Sequence, residues 1–325
     1  MHVFITHRWL HVALFGLLLA LMPLVASSRY YLNLLIFIGI HTLLALGLNL
    51  LMGYAGQISL GHAAFFGIGA YTSGILTATY HLSPWLAMAA AVLLTTVVAL
   101  LVGIPTLKLT GYYLAMATLG FGIIVNICLR ELTWLTGGPS GLVGIPPLGL
   151  GGVTFDEPRH AYYLIWGVTL GALAVSLNLV DSRVGRALRA IHDSETAARA
   201  SGVDTARLKI RVFVVSAIYA SLAGSLYAHF VTFISPSSFG FMFSIRLVTM
   251  VVVGGMASIW GAIFGAATIT ALPEFLAVFH DYDILIFGLI LMVVMIFLPQ
   301  GLTRGGLDLV DQWKLHRRGI PAARI

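Results

Sequence analysis

The chain has 325 residues, of which 59% are apolar and only 9% are charged, whereas an ordinary soluble domain has about 25% charged residues. This composition excludes a soluble fold, because too little charge is present to cover its surface. It also excludes disorder, which requires low hydrophobicity. The single cysteine, Cys128, excludes an intrachain disulfide. We therefore predict an all-α polytopic membrane protein.

Apolar runs long enough to cross a bilayer recur along the chain. A membrane-spanning helix needs about 20 such residues, and about eight runs without Asp, Glu, Lys or Arg approach this length. The first loosely resembles a signal peptide, but it is longer than usual and a second run follows closely, so we expect it to be retained. The predicted spans are residues 10–28, 31–52, 60–80, 85–104, 111–129, 161–180, 212–231 and 284–298.

The positions of the basic residues orient these spans. If the N-terminus lies in the cytoplasm, 14 of the 18 basic residues fall inside and 4 fall outside, as the positive-inside rule requires. The net charge of +6 therefore reflects the bilayer rather than nucleic-acid binding. We predict that both termini are cytoplasmic, with a cytoplasmic loop over 181–208, an outside loop over 131–160 and a basic tail over 306–325.

A further apolar stretch, 247–273, is interrupted by Gly254-Gly255, Gly261 and Gly265. A single crossing here would place Glu274 inside and the basic tail outside, against the positive-inside rule. A return to the same face instead leaves Arg246 and Glu274 in outside loops. We therefore predict a re-entrant pair of short half-helices that meet near Gly254–Gly261. Irregular backbone at this depth requires burial in protein or a cavity.

A second interruption follows the second span, where the segment 53–61 contains three glycines, a glutamine and a serine. A broken helix exposes backbone N–H groups that suit a polar substrate, although small residues at such spacing also serve close helix packing. The two interruptions faintly echo one another, as in an inverted repeat. Our candidates for the substrate pathway are Gly56, Gln57, Ser59, His62, Gly254 and Gly255.

The long cytoplasmic loop has the pattern of two short helices. Val184, Ala187, Leu188 and Ile191 fall on one helical face. Asp193 can cap a second helix and Gly202 can end it. Because the polar face carries both signs of charge, it favours a protein partner over anionic lipid.

Other features exclude alternatives or leave them open. No phosphate-binding G-x-x-x-x-G-K-[ST] sequence occurs, and no catalytic cluster stands out, so we predict no enzyme activity for this chain. The predicted spans contain no acidic residue, which disfavours proton-coupled transport.

The Gly- and Pro-rich outside loop is either a partner site or a mobile loop. Aromatic residues near the span ends, including Tyr112 and Tyr162, are interpreted as interfacial belts.

The run from Ala45 to Tyr71, with Gly53-Tyr54-Ala55-Gly56-Gln57-Ile58-Ser59-Leu60-Gly61-His62 at its centre, resembles the LivM-type permease subunit of branched-chain amino acid ABC transporters. So do the 183–202 loop, the stretch from Ser216 to Tyr227, and the stretch from Val253 to Leu302. The resemblance covers about residues 31–305.

This resemblance implies an inner-membrane importer with several partners. These are two cytoplasmic ATPases, which bind ATP and Mg, a second (LivH-type) permease and a periplasmic substrate-binding protein; no cofactor is implied for this chain. The loop would be the segment that couples to the ATPases, although its acid, Glu195, lies one position before the place that the importer pattern gives it. The implied coupling residues are Gly185, Arg186, Arg189, His192, Asp193, Glu195, Ala197, Ala198 and Gly202.

The resulting hypothesis is a permease for branched-chain amino acids. Two alternatives stay open at this point. One is a permease of the same family for urea or short amides, and the other is an ATP-independent transporter or channel.

Overall fold

A computed structural model of the chain describes residues 2–25, 28–150 and 153–276, together with 288, 289, 292, 296 and 301–303. Most of the predicted span 284–298 and all of the tail 306–325 therefore lie outside the described residues. Helices dominate the described chain, as the composition predicts.

The first part of the chain forms five long helices and a short π-helical turn at the end of the second. They are α1 (His2–Val25), α2 (Arg29–Asn49) with the π turn Leu50–Tyr54, α3 (His62–Ala78), α4 (Pro84–Thr106) and α5 (Tyr112–Glu131). Residues 55–61 interrupt the path between the π turn and α3, where the sequence predicts a helix break.

The second part contains long helices, one short helix of the 131–160 loop and two short helices of the 181–208 loop. They are α6 (Thr133–Thr136), α7 (Pro158–Asp181), α8 (Arg183–Asp193), α9 (Glu195–Ala200), α10 (Thr205–Val231), α11 (Phe241–Gly254) and α12 (Ile259–Leu276). Small β pairs are the exception to the all-α prediction: β1 (Leu142–Val143) pairs with β4 (Phe233–Ile234), and β2 (Gly149–Leu150) pairs with β3 (Val153–Thr154).

Six of the described helical segments are long and apolar enough to cross a membrane. Among them, 83% of the most apolar window of Arg29–Tyr54 is buried, against 28% for α4 and 22% for α5. The second helix is therefore the centre of the bundle, while α4 and α5 lie at its edge. Large apolar side chains such as Leu93, Leu101 and Ile124 are exposed on these edge helices, as is expected where lipid covers them.

Helices α11 and α12 form an antiparallel hairpin. Arg246 contacts Ile269, and the close approaches of Gly265 to Met250 and of Gly254 to Gly261 follow in order toward the turn. The predicted break falls at 255–258 and the chain returns in the opposite direction, as predicted. At about 21 Å, α11 is shorter than a bilayer core, but α12 reaches about 27 Å and is longer than the half-helix that we expected.

The 131–160 loop is more structured than a mobile connection, because β1 pairs with β4 and Trp85 donates a hydrogen bond to the Gly149 carbonyl at 2.7 Å. The prediction of interfacial belts is wrong for Tyr162. This residue is fully buried and donates to the Leu19 carbonyl of α1 at 2.8 Å. Tyr112, by contrast, is exposed.

Candidate functional site

The two predicted helix breaks meet in the structure. Asn49, at the end of α2, is fully buried beside the turn of the hairpin. Its amide nitrogen donates to the Ser258 carbonyl at 2.6 Å, and its oxygen accepts the backbone N–H of Ala257 at 3.1 Å. Ala257 has φ +56, a conformation that is costly for a residue other than glycine. Asn49 therefore fixes this turn, which we call the hairpin tip (residues 255–258).

Glycines allow the close approach of backbone at the hairpin tip. A side chain at Gly53 would overlap Asn49 and the Ala257 backbone, and one at Gly254 would overlap the Gly261 carbonyl. Gly255 is in contact with Gly301, and the Thr303 hydroxyl donates to the Gly254 carbonyl at 2.9 Å. The hairpin tip is thus packed against the π turn on one side and residues 301–303 on another.

The other candidates of the first break lie in protein rather than in an open path. Gln57 is buried and donates to the Ala55 carbonyl at 2.9 Å. Ser59 is buried as well. His62 is buried at the start of α3, and its Nε2 atom has no hydrogen-bond partner among the residues that the structure describes.

Gly56 contacts the loop that is predicted to be cytoplasmic. It has φ +66, and a Cβ atom there would lie 3.0 Å from Nδ1 of His192, near the end of α8. The structure therefore joins a residue predicted for the substrate pathway to one predicted for coupling. Through Gly53, the same break touches the hairpin tip.

The predicted pair of loop helices is confirmed as α8 and α9, with one change of cap. Ser194, rather than Asp193, caps α9, because its side chain accepts the Ala197 N–H at 3.3 Å. Ser182 caps α8 in the same way. Gly202 follows α9 with φ +84, as expected of a residue that ends a helix.

The buried face of α8 differs from the predicted one by a small rotation. Leu188 and Ile191 are buried as expected, but Gly185 is buried and Val184 is exposed. The cause is the tight corner between α7 and α8, where a side chain at Gly185 would overlap the Val180 carbonyl.

The loop side chains divide into those that hold the loop and those that face outward. Arg189 and Arg186 donate to the Val180 and Asp181 carbonyls at 3.0 and 3.3 Å, which satisfies acceptors at the end of α7. Ala198 is buried. The coupling candidates that are exposed and make no such bond here are His192, Asp193, Ala197 and Gly202.

Glu195 is part of an internal ion pair. Its carboxylate lies 3.0 Å from Nζ of Lys209, whose side chain is only 3% exposed, and 3.0 Å from Arg199. Burial raises the Glu195 pKa, but the hydrogen bonds from Lys209 and Thr205 and the nearby positive charges outweigh this effect, so the pKa is lowered overall. Glu195 thereby fastens α9 to α10.

A cavity of about 490 Å³ opens at the other end of the hairpin, in the range of small-molecule sites. Apolar and aromatic side chains from α2, α3, α10 and α11 line it, and none of the six pathway candidates does. Its polar lining includes Tyr30, His41, Arg246, Thr270 and Glu274. We call this space the hairpin cavity.

Two hydrogen bonds hold α2 to α12 along the hairpin cavity. The Tyr30 hydroxyl donates to Glu274 at 2.6 Å, and Nδ1 of His41 lies 2.7 Å from the Thr270 hydroxyl. Arg246 is half-buried and donates to the Ile269 carbonyl at 3.1 Å.

Sequence analysis did not select Arg246 and Glu274 as site residues, because it counted them as charges of outside loops. The structure places them in α11 and α12, and both line the hairpin cavity. The available signal was their position on either side of the same glycine-interrupted apolar stretch.

The arrangement defines a polytopic helical membrane protein with a glycine-packed hairpin and a short helix pair, α8 and α9, attached to a helix break. Residues 30–298 match the model of the family described as the branched-chain amino acid transport system permease component. The chain belongs to this family.

Two curated relatives illustrate the match. The high-affinity branched-chain amino acid transport system permease protein LivM of Salmonella typhimurium is 35% identical over 286 residues, which cover 81% of this chain and 67% of the relative. The LivH permease protein of the same kind of system in Escherichia coli is 30% identical over 283 residues, 81% of this chain and 90% of the relative. The comparison with solved structures found no match.

Proposed function

We propose that this chain is the membrane-spanning permease subunit of an ABC importer that carries branched-chain amino acids across the inner membrane. The contact between His192 of α8 and Gly56 of the helix break is the observation that supports it best. An exposed cytoplasmic helix pair is useful to an importer only if its motion reaches the membrane helices, and this contact provides a route.

The proposed topology has eight spans, a re-entrant hairpin and both termini in the cytoplasm. The distribution of basic residues supports it. In the same direction, Tyr30 and Glu274, both expected outside, are hydrogen-bonded to each other, while the break at Gly56 lies beside the expected cytoplasmic helix α8.

The proposed partners follow from the family. Two ATPase subunits, which hold the ATP and Mg, bind the two permeases, and the exposed surface of α8 and α9, including Asp193 and Ala197, sits in the groove of an ATPase. A second permease of LivH type completes the pathway, and a periplasmic binding protein delivers the substrate. The chain itself performs no hydrolysis in this proposal.

The mechanism starts at the loop. Closure of the ATPases on ATP moves α8 and α9, and the ion pair between Glu195 and Lys209 passes the motion of α9 to α10. The motion passes through His192 to the break at Gly56, and through Gly53 and Asn49 to the hairpin tip. Such a coupling requires that ATP binding favours one of two arrangements of the hairpin.

Uptake by the reconstituted complex tests the proposal. Proteoliposomes that contain both permeases and the ATPases, supplied with binding protein, are expected to accumulate labelled leucine only with internal ATP and Mg. Accumulation of urea instead, or equal uptake without ATP, would contradict it.

A charge reversal in the loop tests the route. Asp193→Arg, on the exposed surface of α8, is expected to abolish ATP-driven uptake while the chain still folds. The control, Glu157→Arg, also reverses an exposed charge but lies at the start of α7, and the purified complex that carries it is expected to retain its ATPase subunits, whereas the Asp193→Arg complex loses them.

A further inference from the structure

The hairpin cavity contains a positive and a negative side chain on neighbouring helices. Arg246 in α11 and Glu274 in α12 both line it and interact electrostatically. Each has a contact with a different group: Arg246 donates to the Ile269 carbonyl, and Glu274 accepts from Tyr30. Charged side chains within membrane helices are costly and usually have a function.

The bonding capacity of these two groups exceeds what the described part of the chain uses. A guanidinium has five N–H donors, and the bond to Ile269 takes one of them. Paired N–H groups of arginine match the two oxygens of a carboxylate. The Glu274 carboxylate has several acceptor positions, and Tyr30 occupies one at 2.6 Å, which leaves others for an ammonium group.

Aromatic rings form the wall beside these charges. Phe66 stacks on Phe243 with ring centroids 5.3 Å apart, and Phe37 lies 6.3 Å from Tyr227. All four line the hairpin cavity. It extends from Tyr30 to His41, about 16 Å along α2 at about 1.5 Å per residue. An apolar side chain can therefore enter between the rings while a charged head group stays near Arg246 and Glu274.

We infer that the hairpin cavity is a binding site for a zwitterionic α-amino acid with an apolar side chain. Arg246 binds its carboxylate, Glu274 binds its ammonium group, and Phe37, Phe66 and Phe243 contact its side chain. This inference rests on the proposed function and adds to it the place in this chain where the substrate binds and the side chains that contact it. Urea and short amides have neither charge, and they leave Arg246 and Glu274 without a charged partner.

Binding of chemically trimmed ligands to the purified full chain in nanodiscs tests the assignment without any partner subunit. The probes are leucine, leucinamide, which has no carboxylate, 4-methylpentanoate, which has no amine, and urea. We expect leucine to bind more tightly than each of the two trimmed ligands, and urea to show no saturable binding.

Two variants assign the groups. Arg246→Gln is expected to lower the affinity for leucine and 4-methylpentanoate by about tenfold but to leave the affinity for leucinamide unchanged. Glu274→Gln is expected to lower the affinity for leucine and leucinamide but to leave the affinity for 4-methylpentanoate unchanged. Arg246→Lys keeps the charge without the paired donors and should retain part of the affinity.

Matched controls lie outside the hairpin cavity. Arg130→Gln and Glu131→Gln remove one charge of each sign at the end of α5, and neither residue lines the cavity. Both should bind all four probes as the wild type does. An Arg246→Gln variant that loses affinity equally for leucine and leucinamide would overturn the assignment, because a structural defect has no preference for one ligand group.

The same variants separate this inference from the proposed function. If the wild-type complex takes up leucine with ATP and the Arg246→Gln and Glu274→Gln complexes do so with unchanged KM, the hairpin cavity is not the site while the importer stands. If the purified chain binds as described but no reconstituted complex accumulates leucine, the site stands and the importer proposal fails.

Discussion

The two ends of the α11–α12 hairpin differ in almost every physical respect. At the tip, Gly254 and Gly261 bring backbone into contact, and the buried Asn49 satisfies the backbone of the turn. At the other end, the helices border a cavity of about 490 Å³ with Arg246 and Glu274 in its lining. The α11–α12 hairpin therefore combines a closely packed attachment at its tip with an open, charged cavity at its other end.

This difference predicts that substitutions at the tip reduce stability, whereas substitutions in the cavity change binding. Variants at the tip, and in the loop helices attached to it, test the first half. Helix α7 and other parts of the chain supply matched controls.

The largest effect is expected for Gly254→Val. The added side chain would overlap the Gly261 carbonyl, so the hairpin must separate, and we expect the free energy of unfolding to fall by about 3 kcal/mol. Chemical unfolding of the purified protein, followed by circular dichroism, measures it. Gly171→Val is the control, because a side chain there meets open space; equal losses in both variants would contradict close packing at the tip.

Asn49→Leu follows. It leaves the Ala257 N–H and the Ser258 carbonyl without their partner, at about 1–3 kcal/mol for an unsatisfied buried group. We expect a loss of about 2 kcal/mol and faster hydrogen exchange of the Ala257 amide. Asn126→Leu removes only one part-buried bond, to the Pro236 carbonyl, and should cost less. Unchanged exchange at Ala257 would show that Asn49 does not hold the turn.

Lys209→Met is expected to cost about 1–3 kcal/mol, because Glu195 then lacks its closest buried counter-charge. The double variant Glu195→Gln with Lys209→Met should recover part of this loss, as replacing both members of a buried pair is often tolerated. Denaturant unfolding of the three proteins measures the coupling, and strictly additive losses would argue against the pair.

The same carboxylate predicts a pH dependence. Because the folded pKa of Glu195 lies below its ordinary value of 4.5, its contribution is present above that value and is lost as the pH falls through the folded pKa. Glu195→Gln should therefore lose less stability than the wild type on acidification below about pH 4.5. Parallel unfolding curves over the acid range check this, and identical slopes would contradict it.

Gly56→Ala is expected to have the smallest effect on stability, about 1 kcal/mol from its φ of +66. Gly111→Ala, in the turn before α5 and in neither set of candidate residues, also places a side chain at a positive φ, +56, but meets nothing within 4 Å in the described chain. Any larger effect of Gly56→Ala, above all on uptake per ATP hydrolysed, therefore reports the contact with His192. Equal effects of the two variants would remove the proposed route through this contact.

The sequence was sufficient for the helical class, the two breaks and the paired loop helices, since these follow from local composition and periodicity. The sequence was less reliable where the local geometry or a contact with another helix determines the role of a residue. Ser194 and Asp193 are both good capping residues, and backbone geometry selected Ser194. Tyr162 has the position of a belt residue, but α1 covers it and accepts its hydrogen bond.

The functional site shows the same division. Gly254 and Gly255 marked the turn of the hairpin correctly, yet the cavity lies at the opposite end, where the charges had been counted as loop residues. The role of the six predicted pathway residues stays a prediction, while the contact between Gly56 and His192 links that set to the coupling segment.

Local sequence was enough to predict that this chain lies in a membrane, that its second helix is interrupted, and that a mixed-charge helix pair follows α7, because hydropathy and periodicity are properties of neighbouring residues. The contact of Asn49 with Ala257 and the cavity shared by Arg246 and Glu274 could be read only from the folded chain. Those juxtapositions join residues from distant segments, and they depend on how closely the glycines let the helices pack.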